Sequence, residues 1–250
     1  MIESKKKQLS AVILAAGKGT RMKSDLAKVL HTLCGRPMLA YCVDVARAVG
    51  VEKIVAIIGH QADLVRNTFH GQGLIFAEQS KQLGTGHAVL QASDIFRGYE
   101  GTILILCGDV PLLKVSTLEE LLGSHISEGA VVTVLTTVLE DPGNYGRVVK
   151  RETDGEVLKI VEAKDATPEE KKIREINTGI YCVDSKFLFD AVAKIGNDNA
   201  QKEYYLTDII AIASAGGFKV RSLIAPDSIE VMGINTLEDL ERASQITMEG

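Results

Sequence analysis

The sequence predicts an α/β fold with a mostly parallel central sheet and a small antiparallel insertion. Three observations predict it. Apolar β-type runs alternate with helical patterns from Ala11 to Val138, glycine-rich or polar motifs follow three of those runs, and the texture beyond Val138 turns to hairpin-like segments.

The first strand is 11–14, where Val12, Ile13 and Leu14 form a buried-strand run that breaks into Ala15-Ala16. Pro37 suits a first helical turn and Gly50 a stop, so 37–49 is read as a helix. Strands at 53–58, 74–77, 102–107 and 130–138 alternate with helices at 61–69, 85–96 and 116–126. Residues 141–146 are turn-rich, and Asp154-Gly155 between 147–151 and 157–161 signals a hairpin. The charged stretch 165–175 reads as helix-like and 176–183 as a strand; helices at 185–194 and 203–213, a strand at 218–224 and a helix at 236–243 follow. At 250 residues and 46% hydrophobic, the chain can bury a full core, and it is read as one domain, 1–250, with a lobe inserted at about 140–180.

Composition excludes several classes. A formal charge of −5 argues against a nucleic-acid partner, and Lys5-Lys6-Lys7 reads as a solvated tail. Cys34, Cys42, Cys107 and Cys182 form no C-x-x-C pair, so buried free thiols and a cytoplasmic location are expected. No segment approaches the roughly 18 apolar residues of a membrane span, and no membrane partner is expected.

The chemistry concentrates in AVILAAGKGTRM at 11–22. Gly17 and Gly19 let the backbone approach a ligand and aim N–H groups at anionic oxygens, while Lys18 and Arg21 add charge; a nucleotide is the natural guest. No glycine precedes Gly17 at the Walker A interval, and Met22 stands where the dinucleotide fingerprint needs a small residue. A second loop, Gly84-Thr85-Gly86, follows the run at 74–77 and Gln79, and Gly108-Asp109-Val110-Pro111 follows 102–107. In open parallel sheets ligands sit at the carboxyl ends of strands, so these motifs should share one crevice.

A lysine on an apolar stretch ordinarily reaches for solvent, but beside a phosphate loop Lys28 reads as a mobile point charge. Asp109 at a strand end reads as a metal ligand; Mg²⁺ needs only one or two protein oxygens, and Asn235 is the candidate for the second. His87 is given no catalytic role. No nucleophile elbow, Cys/His pair or zinc spacing occurs, and transfers between phosphates can proceed by positioning and charge neutralisation.

The order LAAGKGTRM (14–22), KVLH (28–31), Gln79, LGTGHA (83–88), GDVP (108–111), NYGR (144–147), Val161-Glu162, EINTG (175–179), EYYLTD (203–208) and GIN (233–235) closely resembles the pyrophosphorylase domain of bacterial bifunctional N-acetylglucosamine-1-phosphate uridyltransferases. The resemblance implies a Rossmann-like nucleotidyltransferase fold and formation of UDP-N-acetylglucosamine and pyrophosphate from UTP and N-acetylglucosamine 1-phosphate, with Mg²⁺, in peptidoglycan synthesis. It implies nucleotide contacts from Leu14, Ala15, Ala16, Gly17, Gly19, Lys28, Gln79, Gly84 and Thr85, and catalytic roles for Arg21 and Lys28 on the phosphates. It further implies sugar contacts from Gly146, Glu162, Asn177, Tyr205 and Thr207, and Mg²⁺ ligation by Asp109 and Asn235. Two departures stand out. Members often carry proline where this chain has Ala27, which is expected to loosen the loop that places Lys28. The hexapeptide repeats of the family's β-helix acetyltransferase domain are absent, so acetyl transfer is not expected of these residues and a monomer is.

Overall fold

The computed structural model describes residues 8–249; the Lys5-Lys6-Lys7 run lies outside the described residues. In chain order the elements are β1 (Gln8–Ala15), β2 (Thr32–Leu33), β3 (Arg36–Pro37), α1 (Met38–Ala48), β4 (Lys53–Ile58), α2 (Ala62–Thr68), β5 (Ile75–Glu78), α3 (Thr85–Leu90), β6 (Gly101–Cys107), α4 (Val115–Glu128), β7 (Val132–Val138), β8 (Arg147–Lys150), β9 (Val157–Val161), β10 (Glu175–Asp184), α5 (Ser185–Val192), α6 (Asp208–Ala215), β11 (Val220–Ile224) and α7 (Leu237–Glu249).

The central sheet runs β11-β7-β10-β6-β1-β4-β5, and β10 is antiparallel to both its neighbours while the other pairings on this path are parallel. The hairpin β8–β9 joins it through a single pairing of Arg147 with Ile176 on β10. Strand β1 lies between β4 and β6, so the chain builds outward from β1 in both directions and leaves a crevice at their carboxyl ends.

Parallel strands are covered on both faces, which is why their sequences read as continuous apolar runs. Along β1, Ala11, Ile13 and Ala15 enter the core shared with α1, α2 and α4, while Val12 enters the opposite core shared with α3, α5 and α6. A smaller cluster of Leu33, Met38, Ile234 and Ala243 seats α7 on the β2–β3 hairpin. Among the described residues no helix is long and apolar enough to cross a membrane.

Several expected elements differ. The helix expected at 85–96 ends at Leu90, beyond which Gln91, Ala92 and Ser93 N–H groups bond carbonyls three residues back and the chain runs in tight turns. The helix expected at 203–213 begins only at Asp208, because Tyr204 spends its backbone N–H and C=O on Leu83 and Gly86. The charged stretch 165–175 contains Pro168 and holds one 3₁₀ turn, Glu170–Lys172, rather than an α-helix. The last helix runs past Ala243 to Glu249. All four cysteines are free; Cys34 is exposed in the β2–β3 turn, contrary to expectation, whereas Cys42 and Cys182 are buried.

Candidate active site

The loop after β1 curls back on itself. Gly19 adopts φ +63°, and a Cβ there would fall 2.6 Å from Lys28 Cβ, so glycine is what lets the 3₁₀ turn Lys28–Leu30 lie against the loop. Gly17 is different: a Cβ there would meet nothing within 4 Å and its φ is unexceptional, so the protein itself does not demand glycine at this exposed position. Ala27 N–H donates to Gln61 Oε1 at 2.8 Å, a bond that proline could not form; the loop expected to be loosened here is tied to the residue that precedes α2.

Lys28 Nζ is bonded to Asp109 Oδ2 and to Asn235 Oδ1, the latter at 2.7 Å, and Arg21 Nη2 donates to the same Asn235 oxygen at 2.8 Å. The Lys28 side chain is only 11% exposed. Asp109 is fixed just past β6, where Gly108 N–H bonds Leu14 O at 2.9 Å and Ile234 N–H bonds Asp109 O at 2.8 Å. Asn235 is fixed by Asp239, whose Oδ2 accepts from the Asn235 and Thr236 amides at 2.8 and 2.9 Å at the start of α7. The start of α4 is served by Glu230, 1% exposed, which accepts from Lys114 N–H and Thr117 Oγ1.

Two adjoining cavities share Asp109 and Cys107. One, of about 300 Å³, is lined by Leu14, Ala15, Ala16, Gly17, Lys28, Gln79, Gly84 and Thr85. The other, of about 340 Å³, is lined by Arg21, Tyr145, Thr178, Gly233 and Asn235. Gln79 is 4% exposed and its amide donates to Gly84 O at 2.9 Å. Gly84 and Thr85 also serve the fold. A Cβ at Gly84, where φ is +109°, would sit 2.6 Å from Tyr204 O, and Thr85 Oγ1 accepts from Leu206 N–H at 3.0 Å.

On the other flank, Glu162 Oε1 accepts from Thr207 Oγ1 at 3.1 Å, and a Cβ at Gly146 would lie 3.6 Å from that oxygen. Asn177 N–H bonds Gly146 O at 2.9 Å, while Asn177 Oδ1 accepts from Gly179 N–H and Tyr181 Oη. A bulge between Asn177 and Ile180 turns this part of β10, and Gly179 at φ +81° leaves room for Cys107 Sγ. Burial pushes the Glu162 carboxyl above its usual 4.5; the Thr207 hydrogen bond opposes this, and the negative charges of Asp165, Asp208 and Glu203 add to it. Gly146, Glu162, Asn177 and Thr207 thus come together. Tyr205 does not turn toward the Asp109 cavities: its hydroxyl bonds Asp165 Oδ2 at 3.1 Å and lines a separate hollow with Glu162 and Asp208.

Sequence reasoning passed over Gln82, whose Nε2 donates to Ala16 O at 2.7 Å on the first cavity's wall, and Tyr145 on the second. Gln82 stands two residues before Gly84, a polar side chain ahead of a glycine loop as Gln79 is, which was a usable signal.

Asp109 Oδ2 and Asn235 Oδ1 already share one ammonium, so they are spaced to share one cation. Among the described residues no group of three or more His, Cys, Asp or Glu could hold a metal. A pair of hard oxygens that leaves other positions to phosphates and water is the donor set Mg²⁺ accepts.

Comparison with known proteins agrees with this architecture. The family described as "Nucleotidyl transferase" matches residues 10–228. The chain is 52% identical over 242 residues to the "Bifunctional protein GlmU" of Geobacter metallireducens, covering 96% of this chain and 51% of that protein. It is 50% identical over 236 residues to the protein of the same name from Geobacillus thermodenitrificans, covering 94% and 51%. The chain therefore spans about half the length of the curated relatives it matches. A crystal structure of UDP-glucose pyrophosphorylase complexed with UDP-glucose superposes with a TM-score of 0.75 at 16% identity, over 97% of this chain and 99% of that one, a likeness of fold.

Proposed function

The chain belongs to the nucleotidyl transferase family, and we propose that it is a uridyltransferase forming UDP-N-acetylglucosamine and pyrophosphate from UTP and N-acetylglucosamine 1-phosphate. The observation that carries the reading is the meeting of Lys28, Arg21, Asp109 and Asn235 where the two cavities join. It is supported by identity of about 50% to the GlmU proteins across nearly the whole chain.

The nucleotide occupies the first cavity. Ala15, Ala16 and Gly17 line it closely, Gln79 and the Gly84-Thr85 backbone face the base, and exposed Gly17 leaves the backbone N–H groups open to phosphate oxygens. The sugar phosphate enters from the Glu162–Asn177 flank, whose carboxyl and amide groups meet sugar hydroxyls and the acetamido group. A phosphate oxygen of the sugar phosphate attacks the α-phosphorus of UTP in line. The new P–O bond forms as the bond to the bridging oxygen of the β-phosphate breaks, and the electron pair leaves with pyrophosphate. Arg21 and Lys28 neutralise the charge on the phosphates. Asp109 and Asn235 would hold Mg²⁺, which supplies further charge neutralisation and orientation of the phosphates when bound.

The test is pyrophosphate release with UTP, Mg²⁺ and N-acetylglucosamine 1-phosphate, beside glucose 1-phosphate and other nucleoside triphosphates. Release confined to the first combination is expected. Preference for another pair would move the substrate, and no release with any pair would overturn the enzymatic reading.

A further inference from the structure

Lys28 is given a grip on phosphates, yet its ammonium is already engaged. It contacts both oxygens assigned to the cation, while Arg21 reaches Asn235 alone. An ammonium has three donors and no acceptor. Two of them are spent on Asp109 and Asn235, and with the side chain 11% exposed the pair is shielded from solvent on most sides. Packing holds the arrangement: the Lys28 stem lies against Gly19, and the backbone before it is tied to Gln61.

We infer that Lys28 is a placeholder for the divalent cation: in the nucleotide-free protein its ammonium occupies the position between Asp109 and Asn235, and it must leave before a divalent cation binds there. The inference rests on the reading of Asp109 and Asn235 as cation ligands.

An unpaired, partly buried carboxylate is costly, so Asp109 is kept neutralised before substrate arrives. The triphosphate offers Lys28 a new anionic partner a short swing away, because Lys28 also lines the nucleotide cavity. Once it swings, the Asp109–Asn235 oxygens are free. Nucleotide and divalent cation therefore favour each other's binding by the same factor, and the cation has little purchase on the protein alone. The displacement also explains how one lysine serves both partners in succession.

The experiment is titration of the nucleotide-free protein with Mn²⁺, which prefers the same oxygen ligands as Mg²⁺ and is followed by electron paramagnetic resonance. Four proteins are compared: wild type, Lys28→Met, Lys28→Met/Asp109→Asn, and Lys18→Met. Circular dichroism establishes folding, and Lys28→Gln replaces Lys28→Met if the latter does not fold. Removing the placeholder should tighten Mn²⁺ binding by about tenfold or more, the equivalent of about one charge-assisted contact. The double variant should lose the site. Lys18 is an exposed cation of the same loop, and Lys18→Met should shift affinity by less than about threefold, since screening weakens exposed charges.

Equal Mn²⁺ affinity in wild type and Lys28→Met, with the site still lost on Asp109→Asn, overturns the placeholder and leaves the cation site standing. An equal gain from Lys18→Met overturns it too, by reducing the effect to a general field. Failure of every variant to bind Mn²⁺, even with UTP present, overturns the cation-site reading of Asp109 and Asn235 and the placeholder with it.

Discussion

Gly19→Ala separates what the glycine loop does for the fold from what it does for a ligand. The new Cβ would lie 2.6 Å from Lys28 Cβ, 3.1 Å from Lys28 Cγ and 3.4 Å from Lys28 Cα. Those atoms form the base of the side chain and its backbone, so rotation of the lysine tip cannot relieve the overlap; the backbone of the Lys28 turn must move. An alanine at φ +63° adds about 1–2 kcal/mol of left-handed strain. Together these predict a loss of about 1–3 kcal/mol, read as about 2–4 °C in Tm for each kcal/mol in a chain of this size. Displacing Lys28 by about 1 Å should lower kcat/KM for pyrophosphate release by roughly 10²-fold. Gly17→Ala is the counterpart. Nothing stands within 4 Å of its Cβ, so Tm should hold, while kcat/KM falls because the methyl group projects where the phosphates approach. Wild-type Tm and kcat/KM in Gly19→Ala would refute the packing argument, and unchanged kcat/KM in Gly17→Ala would remove Gly17 from the nucleotide site.

Lys28→Ala should lower kcat/KM by roughly 10²–10³, the usual effect of losing one preorganised electrostatic donor, and near wild-type kinetics would sink its role. Asn177→Ala should raise KM for the sugar phosphate more than KM for UTP; equal changes in both would count against a sugar contact. Glu230→Ala leaves Lys114 N–H and Thr117 Oγ1 at the start of α4 without their buried acceptor, and calorimetry should show a loss of about 2–4 kcal/mol, with no change in stability as the refuting result. The carboxyl of Glu162 sits above 4.5 in the folded protein, so the native state binds its proton more tightly than the unfolded chain does. That contribution is fully present below about pH 4.5 and is lost as pH rises through the raised value. Glu162→Gln, which cannot ionise, should therefore gain Tm relative to wild type between pH 4 and pH 7, and a constant difference across that range would contradict the shift.

The strands were legible because burial on both faces leaves little freedom of composition; Lys53–Ile58 was read residue for residue. Helix ends were less legible wherever a distant segment claimed backbone groups. Residues 203–206 have a helical look, yet Tyr204 pairs with Leu83 and Gly86, a partnership between two loops that no local pattern encodes. The same contact explains Gly84, which reads as a ligand glycine but is also demanded by the approach of Tyr204 O. Asp109 was visible as a carboxylate at a strand end. Its companion Asn235 was named as a candidate and implied by the family resemblance, but spacing alone did not single it out, since the Ile234 N–H bond to Asp109 O that brings it near is a long-range link with no local signature. Tyr205 lines a hollow that Glu162 also lines, and its hydroxyl bonds Asp165, a partner that no local pattern names.

The antiparallel strand β10 is what brings the Glu162–Asn177 flank to the same edge of the sheet as the glycine loop. A parallel sheet presents only the carboxyl ends of its strands along one edge, and β1, β5 and β6 deliver there Ala15, Gln79 and Asp109. Because β10 runs the other way, with Tyr181 opposite Ile105 and Asp184 opposite Thr102, its beginning rather than its end lies beside the end of β6. Asn177, near that beginning, therefore arrives at the same edge, and the β8–β9 hairpin follows it through the Ile176–Arg147 pairing, bringing Gly146 and Glu162. A parallel strand in that place would carry Asn177 to the opposite edge of the sheet. The reversal thus brings the start of β10 beside the end of β6, and the bulge at Asn177–Ile180, with Gly179 clearing Cys107 Sγ, makes the close approach sterically possible. Replacing Gly179 by a residue with a side chain strikes that junction from two directions, its φ of +81° and a Cβ only 2.7 Å from Cys107 Sγ, and so pushes the bulge of β10 and the end of β6 apart.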